Sequence, residues 1–132
     1  MKSPLRIGIC GLGTVGYGSY TVLLDNAVEI ARRAGCELVV SHIGTRRIKS
    51  NQDVGDTRVS QDVFAVADDP EIDIVLELIG GEDLAKELVL RAIGNGKHVV
   101  TANKALIAVH GNEIFAEARK NNVIVAYEAA VA

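Results

Sequence analysis

Residues 5–16 read LRIGICGLGTVG, a short apolar run from Leu5 to Cys10 followed by glycines at 11, 13 and 16. The run carries β-branched Ile7 and Ile9 and stops at Gly11, as a buried strand does. From Thr14 the chain takes helical period, with Val15, Leu23, Leu24, Ala27, Val28 and Ala31 at three- and four-residue steps. Gly35 closes that helix just after Arg32 and Arg33, whose charges suit a helix C-terminus. A strand, a glycine turn and a helix, in that order, open a βαβ unit.

The same alternation continues to the end. Leu38–Ile43 reads as a second strand, and the polar stretch from Thr45 to Thr57 as loop. Asp62–Asp68 reads as a short helix before Asp-Asp-Pro, Ile72–Ile79 as a strand, and Glu82–Ile93 as an amphipathic helix closed by Gly94-Asn95-Gly96. His98–Thr101, Gly111–Asn121 and Val123–Tyr127 follow as strand, helix and strand. Strands joined by helical crossovers predict an α/β fold, a doubly wound, mainly parallel sheet with helices on both faces, of Rossmann type. No repeat or interdomain linker interrupts residues 1–132, which read as one domain.

Composition narrows the classes of partner. The 132 residues are 48% hydrophobic and 23% charged, with a net charge of −3, and no basic stripe is available to neutralise a nucleic-acid backbone. No apolar run is long enough for a membrane span. The two cysteines, Cys10 and Cys36, have no metal spacing and read as reduced thiols of a cytoplasmic protein. His42 and His98 are likewise unspaced for a metal, and His110 reads as preceding a helix. Glu77 stands out as a carboxylate inside an apolar strand, which requires a donor nearby.

Each glycine of Gly11-Leu12-Gly13-Thr14-Val15-Gly16 answers a demand of dinucleotide binding. Gly11 permits the tight turn, Gly13 lets the backbone approach a pyrophosphate, and Gly16 lets helix lie close to strand. The free amides at the helix N-terminus then face the phosphates. An NAD site normally adds a carboxylate at the end of the second strand for the ribose 2′-hydroxyl. Here that strand runs into Gly44-Thr45-Arg46-Arg47. Arg46 and Arg47 are either ligands of a 2′-phosphate or solvated loop charges. The first reading points to NADP, with NAD possible, because a guanidinium grips a phosphate bidentately.

Three later strings are more discriminating: IDIVLELIGG at 72–81, GKHVVTANKALIAVHGNEIFAEA at 96–118 and VIVAYEAAVA at 123–132. Together with the glycine turn, the chain resembles the amino-terminal NAD(P)-binding domain of homoserine dehydrogenase over essentially its whole length. That family interconverts L-aspartate 4-semialdehyde and L-homoserine with NADP(H) or NAD(H), on the route to threonine, methionine and isoleucine. The resemblance places Leu12, Thr14 and Val15 in the phosphate turn, Arg46 and Arg47 beside the adenosine ribose, and Ile79 and Gly80 along the coenzyme. Lys104 of TANKA would stand beside the nicotinamide and the small-molecule substrate, with Asn103 bonding the coenzyme amide or holding the loop. Glu128 and the carbonyl of Val131 match part of a monovalent-cation site, taken as sodium. The family's catalytic residues belong to a second domain expected downstream, and its dimer contacts to later segments. No catalytic residue is therefore assigned within 1–132, a homodimer is expected of the full-length enzyme, and this chain is expected to bind nucleotide without turnover. Two rival readings stay open: another reductase of this fold, of aspartate-semialdehyde or dihydrodipicolinate type, and a non-catalytic NAD(P)-sensing module.

Overall fold

A computed structural model of the chain describes residues 4–11, 17–45, 57–79 and 82–127, with residues 17–23 as backbone only. The described residues form one six-stranded sheet and four helices. In chain order they are β1 (Leu5–Cys10), α1 (Tyr17–Ala34), β2 (Leu38–Gly44), β3 (Arg58–Ser60), α2 (Phe64–Asp68), β4 (Ile74–Glu77), α3 (Asp83–Gly94), β5 (His98–Thr101), α4 (Lys104–Lys120) and β6 (Val125–Tyr127). Every pairing is parallel and the strand order is β3-β2-β1-β4-β5-β6. That order reverses between β1 and β4, the switch point at which open α/β sheets leave a crevice beyond their carboxyl ends.

Alternation along the strands sends side chains to two cores. On one face Ile7, Ile9, Ile43, Ile74, Leu76 and Val100 pack under Leu24, Ala27 and Ile30 of α1. Val28, expected in that stripe, is exposed instead. On the other face Val75 and Val99 meet Val66, Leu88, Ile93 and Ile114 from α2, α3 and α4. Helices thus cover both faces, as expected, and the sheet is wholly parallel among the described strands.

The short α2 sits close to the sheet because two adjacent strands present glycine beneath it. A methyl built on Gly8 would run into Val66 Cγ1, and one on Gly44 would lie 2.9 Å from Val63 Cα and 3.0 Å from Val66 Cγ2. Arg91 of α3 holds the other side of α2, donating to both oxygens of Asp68 at 2.8 and 2.6 Å and stacking over the Phe64 ring.

Three helices end alike. Cys36 N–H donates to Ala31 O, Lys97 N–H to Ala92 O and Val123 N–H to Ala118 O, each just past a residue of positive φ: Gly35, Gly96 and Asn122. This six-to-one closure satisfies carbonyls that the helix leaves unpaired. Lys97 then turns inward and donates from Nζ to the carbonyls of Asp69 and Ile72, at 2.6 and 2.8 Å. Burial pulls its pKa below the usual lysine value, against the raising influence of Asp69, Asp73 and Asp68.

Two elements differ from the sequence expectation. β3 lies between the expected loop and the expected short helix, at residues for which the sequence reading names no element; it is a three-residue edge strand that exists through its ladder to β2. The last helix starts at Lys104 rather than Gly111, because Asn103 Oδ1 accepts from Leu106 N–H at 3.0 Å and caps it there. Gly111, which looks like a helix start, is a buried interior position, and His110 lies within the helix.

His98 supplies a pH test of the β5–β6 edge. Its Nδ1 accepts from Ile124 N–H at 3.0 Å, and burial holds its pKa below the ordinary histidine value while Asp73 pulls the other way. The folded state therefore binds fewer protons than the unfolded state just below pH 6.5. Stability is expected to be complete above that pH and to fall as pH drops through the window beneath it. Urea denaturation at pH 7.5 and 5.5 should show this loss, and His98→Asn, which keeps an acceptor but cannot titrate, should flatten it.

Candidate functional site

The strand registers place one residue of each strand in a single row along the carboxyl edge: Ser60, Gly44, Cys10, Glu77, Thr101 and Tyr127. In open α/β sheets ligands bind beyond such a carboxyl edge, beside the point where the strand order reverses. At the centre of the row β1 is followed by Gly11, whose φ of +90° belongs to glycine and whose N–H donates to Gly44 O at 2.7 Å. A methyl there would meet Ile79 at 2.6 Å from Cγ2 and 2.9 Å from Cα. Gly11 and Ile79, both candidate site residues, are therefore packed face to face across the switch point.

Glu77 and Thr101 are the buried polar pair of the row. Thr101 Oγ1 donates to Glu77 Oε1 at 2.8 Å, and Ile79 N–H donates to Glu77 Oε2 at 2.9 Å. These are donors that the apolar strand of Glu77 required. Thr101 Oγ1 also accepts from Asn103 N–H at 3.0 Å, so its hydroxyl links β4 to the cap of α4. Sequence reasoning singled out Glu77 but missed Thr101. The signal was available, since Thr101 ends the next parallel strand at the same register.

Lys104 is exposed and is the first residue of α4, directly beyond the carboxyl end of β5. Asn103, left open between coenzyme contact and loop support, caps α4 with its side chain. Cys10 is fully buried; burial first, and the Glu77 charge second, push its thiol far above the usual cysteine range. It behaves as a small apolar side chain, not a nucleophile.

A second polar line lies under β2 and β3. His42 Nδ1 is 2.8 Å from Asp69 Oδ2 and its Nε2 is 2.7 Å from Ser60 Oγ. The order Ser–His–Asp is that of a hydrolytic triad, yet the imidazole has 0% exposure and no substrate can reach it. The line is a strut joining β2, β3 and the turn after α2. Burial would raise Asp69, but the Glu71 amide, the His42 ring and the Arg58 charge outweigh it and hold the carboxyl below its ordinary value.

Leu12, Gly13, Thr14, Val15, Gly16, Arg46, Arg47, Gly80, Glu128 and Val131 lie outside the described residues. Among the described residues no group of three or more histidine, cysteine, aspartate or glutamate side chains is placed to hold a metal ion. Nor is any helix among them long and apolar enough to cross a membrane.

A parallel sheet of order 3-2-1-4-5-6, with a left-handed glycine just past β1 at the switch point, defines a dinucleotide-binding α/β domain. Residues 11–128 match the family model described as homoserine dehydrogenase, NAD binding domain. The chain belongs to that family, whose coenzyme is a nicotinamide nucleotide. It is 65% identical over 129 residues to a homoserine dehydrogenase of Pseudomonas aeruginosa and 51% identical over 130 residues to that of Neisseria gonorrhoeae. Each alignment covers 98% of this chain and 30% of the relative. The solved homoserine dehydrogenase of Thiobacillus denitrificans superposes with a TM-score of 0.79 at 55% identity, over 98% of this chain and 30% of that one. The chain thus spans about 30% of the length of the curated relatives it matches.

Proposed function

We propose that this chain is the coenzyme-holding part of a homoserine dehydrogenase, and that it takes NADP(H) in preference to NAD(H). The observation that carries the reading is the left-handed Gly11 at the switch point, packed on Ile79, within a chain of this family. The edge suits such a coenzyme, because the strand order reverses beside β1 and open α/β sheets bind ligands beyond the carboxyl ends at that point. Backbone amides of Gly11-Leu12-Gly13-Thr14-Val15-Gly16 hold the diphosphate, while Ile79 and Gly80 line the path beyond β4. Lys104, exposed at the start of α4, faces the reacting end with its positive charge. When bound, the coenzyme supplies the hydride exchanged with the aldehyde carbon of L-aspartate 4-semialdehyde. The chain's own contribution is position and electrostatics. Glu128 and the carbonyl of Val131 complete the reading as two of the several oxygen ligands that a hard monovalent cation requires.

The preference for NADP(H) rests on Arg46 and Arg47, which stand where an NAD site carries a carboxylate. One charge-assisted contact to the 2′-phosphate is worth roughly 1.5–3 kcal/mol, or about ten- to a hundredfold in affinity. Calorimetric titration of the chain is expected to show NADPH bound more tightly than NADH by such a factor. Arg46→Ala or Arg47→Ala should erase most of that difference and leave NADH binding unchanged. Equal affinities for the two nucleotides, unaffected by either substitution, would refute the 2′-phosphate assignment.

A further inference from the structure

We propose that Glu77 is a positioning residue for the nicotinamide half of the coenzyme, acting through the two loops that its carboxylate ties together. The proposal rests on the reading above, that a dinucleotide lies along the carboxyl edge. In this topology the ribose bearing the 2′-group is met at the end of β2, so the other half of the molecule extends over β4 and β5. The described residues that follow these strands are Leu78 and Ile79 after β4 and Ala102 and Asn103 after β5. Glu77 links the two pairs. Its Oε2 accepts from Ile79 N–H at 2.9 Å, and its Oε1 accepts from the Thr101 hydroxyl at 2.8 Å. Thr101 Oγ1 accepts in turn from Asn103 N–H at 3.0 Å, and Asn103 Oδ1 accepts from Leu106 N–H at 3.0 Å. A continuous chain of hydrogen bonds therefore runs from the residue packed on Gly11 to the cap on which Lys104 begins α4.

Core packing alone does not call for a carboxylate here. Glu77 is 1% exposed, and its chain neighbours Leu76 and Leu78 are ordinary core residues. An apolar side chain would avoid the cost of burying charge. What an apolar side chain could not do is accept from a backbone amide beyond the strand end and from a hydroxyl on the next strand at once. Thr101 uses both capacities of its hydroxyl, so valine, its nearest isostere, would break the chain of bonds at its middle.

The test uses the full chain and two probes, NADPH and ADP-ribose 2′-phosphate, which lacks the nicotinamide. Affinities come from calorimetry, and the bound nicotinamide is read by its own fluorescence, excited beyond the absorption of the protein's aromatic side chains. Thr101→Val and Glu77→Gln are each expected to weaken NADPH by roughly tenfold, while ADP-ribose 2′-phosphate stays within about twofold of the unmodified chain. Both variants should also lose the shift in nicotinamide emission on binding. Thr101→Ser keeps the hydroxyl and should restore affinity and emission, which sets a lost hydrogen bond apart from lost packing. Equal weakening of both probes, or no change in either, overturns the proposal. If Glu77→Gln fails to fold, the valine and serine pair at Thr101 decides on the same criteria. An unmodified chain that binds neither probe overturns the coenzyme reading itself, a result distinct from one in which it binds both and the variants lose both alike.

Discussion

Gly11→Ala is expected to cost about 2–5 kcal/mol of stability and roughly a hundredfold in NADPH affinity. Two independent penalties add. An alanine at φ +90° is strained whatever surrounds it, and its Cβ would stand 2.9 Å from the backbone Cα of Ile79. Backbone cannot rotate away as a side chain tip can. Ile79 is moreover held by its amide to the Glu77 carboxylate, so relief requires moving the loop after β4. Truncating Ile79 to alanine removes the clash with Cγ2 at 2.6 Å but leaves the one with the backbone, and the double variant should recover little. Urea denaturation and calorimetric titration check both halves of the expectation. A Gly11→Ala chain with unchanged stability and affinity would remove Gly11 from the site.

Gly8→Ala should behave differently, because its obstacle is a side chain. The new methyl would run into Val66 Cγ1 and lie 3.2 Å from Ile72 Cγ2. Val66 is fully buried and stiff about its one torsion, and its other methyl already lies over Gly44. Gly8→Ala is therefore expected to cost about 3 kcal/mol by overpacking, and Val66→Ala about 2 kcal/mol by leaving a cavity. Combined, the alanine at 8 occupies space vacated at 66, so the double variant should lie well short of the sum, with a coupling of about 2 kcal/mol. Denaturation of the four chains measures the coupling directly. Strict additivity would mean that α2 does not rest on Gly8.

The contrast between these two glycines shows how far residue order could be read. Gly11 was legible, because a glycine closing an apolar run before a helical period is a local signal of a turn. Gly8, mid-strand, carried only the general hint that some backbone approaches closely. Its partner, Val66, is 58 residues away by number and reaches it only through the crossover that lays α2 on the sheet. The start of α4 was misplaced by seven residues because Gly111 looked like a boundary, whereas the capping power of Asn103 lies in one hydrogen bond to Leu106. β3 was invisible, since three residues have no period to read.

Residue order alone established the alternation of strands and helices, the glycine turn, the arginines where a carboxylate is customary, and the family strings after Ile72. All of these are patterns within a few residues, governed by side-chain period and turn chemistry. The partners of Glu77, the burial of His42 between Ser60 and Asp69, and the close seat of α2 were settled by strand pairing. Parallel strands bring together residues some 20 to 70 positions apart, and which atoms then meet depends on register, a property of the assembled sheet.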